Sequence, residues 1–288
     1  MRSQAMFFQR RAGEALADPQ LQKNFTGLKD KFVGMRARAV DAYGAYGKAD
    51  FEALRDAGQA VRDRVLKDLD IWLELFEEKA TQRGASVLWA KDGREICEQV
   101  IAIARRHGVK KAIKSKSMLS EEAQLNVALT AAGIEPVETD LGEYILQISD
   151  NEPPSHILAP AAHKNLDEVA DLFAEKHGKP RKTEIPALTR EAREVLREHF
   201  LTADMGISGG NFLIAETGSV ALITNEGNGR MVTTLPKVHI VITGIEKIVP
   251  TLEDFATLMR LLPRSATGQE ISNYVSVCTG TKGEVDAD

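Results

Sequence analysis

Four short polar runs in the last third of the chain hold the side chains best suited to chemistry: ISGGNF at 207–212, AETGS at 215–219, NEGNGR at 225–230 and TLPKVH at 234–239. Gly209, Gly210, Gly218 and Gly227 have no Cβ, so backbone N–H groups beside them can approach an anion closely. Ser208, Asn211, Thr217, Asn225, Asn228, Arg230 and Lys237 add donors, and Glu226 a carboxylate. Together they are expected to form a pocket for a small anion. The same glycines would also serve as tight hairpin turns, a common use of the residue. Glu216, between an apolar run and a Thr-Gly-Ser turn, is a candidate base, nucleophile or hydrogen-bond acceptor. At a hairpin tip a glutamate is also at home simply in water. His239 is the second candidate base.

A second group lies earlier, in KSKSMLSEE and ETDLGEYILQ: Lys114, Lys116 and Ser117, then Asp140, Glu143 and Tyr144. A lysine and a serine just ahead of a helix can hold an anion together with the free N–H groups there, and we expect Lys116, Ser117 and Asp140 to join the ligand site. Ser117 or Ser120 has a plainer use as a helix cap. His156 and His163 lack carboxylate or cysteine partners at metal-binding spacing, so no metal site is expected.

Several chemistries drop out. No Gly-x-Gly-x-x-Gly follows a strand, and phosphate-loop, His-Glu-x-x-His and Gly-x-Ser-x-Gly motifs are absent. The formal charge of -5 is mild and its signs are mixed, which gives nucleic acid no basic face. Hydrophobic residues are 43% and charged residues 27%, with no apolar run long enough to span a membrane. The basic N-terminus lacks the apolar core of a secretory signal. Two widely separated cysteines, Cys97 and Cys278, argue against a disulfide scaffold, and a cytoplasmic location is expected.

Helices and strands must carry these residues. Apolar spacing predicts a helical arm over 1–80, interrupted at Gly44 and Gly47, followed by an α/β domain over 81–288. In the second part SVLWA, KKAIKS, EPVETD, SHILAPA and VHIVITG read as strands. Helices are expected between Asp92 and Gly108, Ser120 and Gly133, Leu166 and Gly178, and from Thr189 and about Leu252. NFLIAETGSVALITNEGNGR reads as a β-hairpin. The alternation implies a mostly parallel sheet with helices on both faces, whose strand ends are the usual ligand position.

The runs KSKSMLSEE, ETDLGEYILQI, APAAHKN, ADMGISGGNFLIAETGSVALITNEGNGRM and TTLPKVHIVITGIEKIVPT resemble the lactate utilization (LUD) domain family, in its iron–sulfur electron-transport branch, over roughly residues 20–285. The resemblance implies a fold like that of glucosamine-6-phosphate deaminase, ribose-5-phosphate isomerase and CoA transferases. It further implies a place in a cytoplasmic complex, with other lactate utilization proteins, that oxidises L-lactate to pyruvate. A small carboxylate such as lactate or pyruvate is the implied ligand. Family members of this branch carry ferredoxin-type cysteine clusters after the domain. This sequence has none: either it is a piece of a longer protein, for which the resemblance implies 4Fe-4S clusters, or it is a natural single-domain relative, and the first is the expectation. A stand-alone isomerase or CoA-transferase-like enzyme using Glu216 is the alternative reading, and a scaffold recruiting partners through the helical arm is a third.

Overall fold

The computed structural model describes residues 7–155, 159–272 and 274–281, with backbone only at 28–31. Four helices lead: α1 (Phe8–Ala17), α2 (Pro19–Asp41), α3 (Lys48–Lys67) and α4 (Leu69–Gln82). Asp18 separates the first two by accepting hydrogen bonds from Gln20 N and Leu21 N, with Pro19 starting the new helix.

Next come α5 (Gly93–Arg106), β1 (Lys111–Lys114), α6 (Met118–Glu122), α7 (Leu125–Ala131), β2 (Glu135–Glu138), α8 (Leu141–Ile148), α9 (Leu166–His177) and α10 (Ile185–Thr202). The remainder is β3 (Met205–Gly209), β4 (Phe212–Ile214), β5 (Ser219–Thr224), α11 (Asn228–Thr234), β6 (Val238–Ile242), β7 (Ile248–Val249), α12 (Leu252–Thr267) and β8 (Tyr274–Thr279).

The first sheet runs β2-β1-β3-β6, all parallel. One face packs under α5 and α7 through Cys97, Val100, Ala104, Leu125 and Leu129 against Ala112, Met205, Ile207 and Ile242. Leu125, Leu129, Met205 and Ile207 are fully buried, and each such side chain contributes roughly 1.5–3 kcal/mol. The other face packs under α8 to α11 through Tyr144, Phe173, Leu196, Phe200 and Val232 against Ile113 and Val137. Gly206 makes the approach of α11 possible, since a Cβ there would lie 2.0 Å from Val232 O.

The expected hairpin is β4 and β5, but it belongs to a second, mixed sheet ordered β7-β4-β5-β8. That sheet buries Phe212, Ile214 and Ala221 against Val61 of α3 and Phe255 and Leu258 of α12. Leu213, Ala215 and Ile248 meet Val65 of α3 and Phe76 and Ala80 of α4. The protein is therefore α/β with two sheets.

Three local expectations change, and a fourth falls partly outside the described residues. SVLWA is not a strand: Leu88 and Trp89 are exposed, and the Trp89 ring and carbonyl are held by Glu77 and Gln99 side chains. The helix expected over 120–133 is two, α6 and α7, broken at Gln124 in the left-handed region with φ 56°. The end of the expected hairpin, NEGNGR, opens α11. Within SHILAPA, residues 156–158 lie outside the described residues, as does His156, and the described flanks are not strand.

Candidate functional site

The carboxyl ends of the parallel strands and the link from β3 to β4 enclose a cleft of about 900 Å³. Its size suits a small-molecule site. Lys116 and Ser117 enter it from the loop after β1, Asp140 from the end of β2, and Gly209, Gly210 and Asn211 from the crossing between the two sheets. Asn225, Glu226 and Asn228 come from the turn after β5. The opposite wall includes Leu262 and Pro263 of α12.

Five of these side chains have a structural bond that fixes them. Asp140 caps α8 by accepting from Gly142 N at 3.2 Å. Glu226 accepts from Leu141 N at 3.1 Å, which ties the β5–α11 turn to the same helix start. Asn228 is buried and donates to Thr139 Oγ1 at 3.2 Å, and Thr139 donates to Lys114 O. Asn211 accepts from Ile223 N, holding the floor to β5. Ser117 accepts from Ser120 N as the cap of α6.

Lys116 is the centre of the charge distribution. Its ammonium lies 3.4 Å from Asp140 Oδ2 and 3.3 Å from Glu143 Oε1. Burial works against its charge, but the two carboxylates outweigh that and hold its pKa above the ordinary lysine value. Glu143 is 7% exposed. Burial and the neighbouring Asp140 carboxylate, as acceptor and as a like charge, push its pKa up to about 9. Glu226 is raised by burial and by Asp140, and Glu121 by burial and by Glu138. Beneath the floor Lys114 and Glu138 form a buried ion pair at 2.6 Å, and Asn126 donates to the same carboxylate oxygen at 2.7 Å. The cleft can thus offer a cation and amide donors, with the Glu143 carboxyl group beside Lys116 shifted toward its protonated form.

The family model described as LUD domain matches residues 73–288. The chain belongs to the LUD domain family. It is similar to lactate utilization protein B of Lysinibacillus sphaericus (strain C3-41), 42% identical over 281 residues, 98% of this chain and 58% of the relative. The protein of that name from Bacillus licheniformis is 47% identical over 255 residues, 88% of this chain and 53% of the relative. That from Bacillus subtilis (strain 168) is 42% identical over 281 residues, 97% and 58% respectively. The chain therefore spans less than two thirds of the length of these curated relatives. No solved structure matches it.

In this LUD domain the sequence-predicted residues divide into two sets. Lys116, Ser117, Asp140, Gly209, Gly210, Asn211, Asn225, Glu226 and Asn228 share the cleft. The rest do not line it. Glu216 turns to the start of α12, where it accepts from Leu252 N at 2.6 Å. Thr217 and Gly218 form the hairpin turn against α4, Gly218 with φ 65° and so close that a Cβ would lie 2.3 Å from Ala80 N. Gly227 is the left-handed residue before α11. Arg230 lies over the Tyr274 ring at 5.4 Å. Lys237 precedes β6, at the opposite end of the sheet. His239 is tied to buried Ser208, Nε2 to Oγ 2.8 Å, and burial pushes its pKa down to about 4. Neither of the two expected catalytic residues lines the cleft.

Glu143 was visible in the sequence but not given a ligand role, although its place three residues after Asp140 puts both on one side of a helix start. The buried Lys114–Glu138 pair carries a weaker signal, a charged residue closing each of two adjacent strands. A four-iron cluster does not fit these residues: the chain has two cysteines, Cys97 packed in α5 under the parallel sheet and Cys278 on β8 of the mixed sheet. No group of three potential metal ligands occurs among the described residues.

Proposed function

We propose that this LUD domain is the ligand-binding part of a longer electron-transfer protein that takes part in oxidising L-lactate to pyruvate, and that its cleft binds a small carboxylate such as lactate or pyruvate. One observation carries the reading: the Lys116 ammonium lies in a cleft at the strand ends, in a chain 42% identical to proteins named lactate utilization protein B. An ammonium has three donors. Asp140 and Glu143 take two, which leaves one for the ligand carboxylate. Asn225 and Asn228 supply further amides, and Asp140 and Glu226 are placed to accept from a ligand hydroxyl.

The electron path lies beyond this chain's residues. The 4Fe-4S clusters belong, on this reading, to the remainder of the longer protein or to other lactate utilization proteins of the same cytoplasmic complex. No helix among the described residues is long and apolar enough to cross a membrane. The domain's own work is to bind, orient and partly desolvate the acid. A three-carbon acid fills only part of the cleft and leaves its mouth open to the component that accepts electrons.

Thermal unfolding tests the ligand class. A ligand at a hundred times its dissociation constant stabilises the fold by about 2.7 kcal/mol, a Tm rise on the order of 5 °C. L-lactate or pyruvate is expected to produce it. Stabilisation by inorganic phosphate alone would replace a carboxylate with a phosphorylated ligand.

A further inference from the structure

The charges around Lys116 pose a problem for any anionic ligand. Asp140 and Glu143 face its ammonium at 3.4 and 3.3 Å, and Glu226 reaches the same helix start through Leu141 N. One cation against three ionised carboxylates would repel an incoming carboxylate. Asp140 and Glu143 also crowd one ammonium, and two carboxylates held that close favour keeping a proton on one of them. Glu143 is the more buried of the two. Its Oε2 is buried and has no hydrogen-bond partner among the described residues, which leaves an unclaimed polar atom behind Lys116. Its chain neighbour Gly142 lines the cleft.

We propose that Glu143 is the proton carrier of the cleft: its carboxyl group stays protonated in the empty site, and an anion joins Lys116 only while that proton is held. The inference rests on the cleft being the ligand site. No bond to carbon is made or broken in this step; the proton remains on the Asp140–Glu143 pair, and the anion takes the free donor of Lys116. The other charged groups around α8 are consistent with it. Glu226 and Glu121 are shifted upward from the ordinary carboxylate value by burial and by neighbouring carboxylates, so they add no competing cation. Lys114 and Glu138 satisfy each other below the floor. From α9, His177 meets Tyr144 on the far side of the helix and is turned toward Glu191.

Two readouts on the whole chain test this, one independent of any ligand. Infrared spectroscopy of the empty protein should show the C=O band of a protonated carboxyl at pH 7, bleaching as pH rises through about 9. The band should be missing in Glu143→Gln and retained in Glu74→Gln, an exposed residue of α4. Asp140→Asn removes two of the causes that hold the proton on Glu143, so its band should bleach at lower pH. Pyruvate affinity by calorimetry should then fall tenfold per pH unit above that range in the wild type, with a flatter profile in Glu143→Gln. A wild-type spectrum without the band, a band that survives in Glu143→Gln, or a pyruvate profile identical in the two proteins overturns the proposal. A band with the expected behaviour but no binding of pyruvate or phosphate instead overturns the cleft as an anion site.

Discussion

The Lys114 ammonium lies 2.6 Å from the Glu138 carboxylate, with side chains only 2% and 6% exposed. Adjacent parallel strands place them in register, so the pair closes β1 and β2 directly beneath the Lys116 loop and Asp140. Removing one partner strands a buried charge. Lys114→Met is expected to cost about 3–5 kcal/mol, read from urea unfolding. The double variant Lys114→Met with Glu138→Leu should recover most of that loss. Equal instability in the double variant would mean that the pair is not the source.

Gly206 answers to a steric demand on the far side of the same sheet. A methyl group at that position meets Val232 O at 2.0 Å, a backbone atom that cannot rotate away. Gly206→Ala should lower stability by about 1–3 kcal/mol or more, seen as a lower Tm. A Tm equal to the wild type would show that α11 shifts without cost.

Glu216 has a structural bond at the start of α12. Glu216→Ala should cost about 0.5–2 kcal/mol of stability, the value of a helix N-terminal acceptor, and leave pyruvate affinity within about twofold. Loss of binding without loss of stability would restore the ligand role expected of it from its turn sequence.

His239 makes a pH signature. Its folded pKa, pushed down by burial to about 4, lies below the ordinary histidine value of about 6.5 that the unfolded chain keeps. The unfolded state therefore takes up the proton first, and this histidine's contribution is complete above about pH 6.5 and lost as pH falls toward 4. The loss is up to about 3 kcal/mol. Glu143, shifted upward, acts with the opposite sign over part of that range. The effect is thus read as the difference in unfolding free energy between wild type and His239→Asn. A difference that does not change between pH 7 and 4.5 would contradict it.

Much of this architecture was legible because its signals are local. Asp92, Asn165 and Thr251 cap helices where such residues are expected to, and the alternation of strands and helices announced the parallel sheet. Its strand ends then located Lys116 and Asp140 without any family knowledge. The second sheet was harder to see. β7 has two residues, and β8 pairs with β5 across fifty or more positions of sequence, so neither leaves a local pattern. GEYILQI is apolar almost throughout, and periodicity cannot tell such a run from a buried strand. Glu216, Arg230 and His239 have the right chemical types for the site, but hairpin direction and strand register, not residue type, decide which way they face. A glycine-rich run likewise has two outcomes, and here Gly209 and Gly210 floor the cleft while Gly218 makes a turn against α4.

Calorimetric titration of the wild type and of Lys116→Ala with L-lactate and with pyruvate at pH 7 tests the central claim most directly. The account predicts saturable one-site binding of at least one of the two acids to the wild type, weakened at least tenfold in Lys116→Ala, whose fold remains intact by circular dichroism. Equal affinity in the two proteins, or no heat from either acid with the wild type, would contradict it.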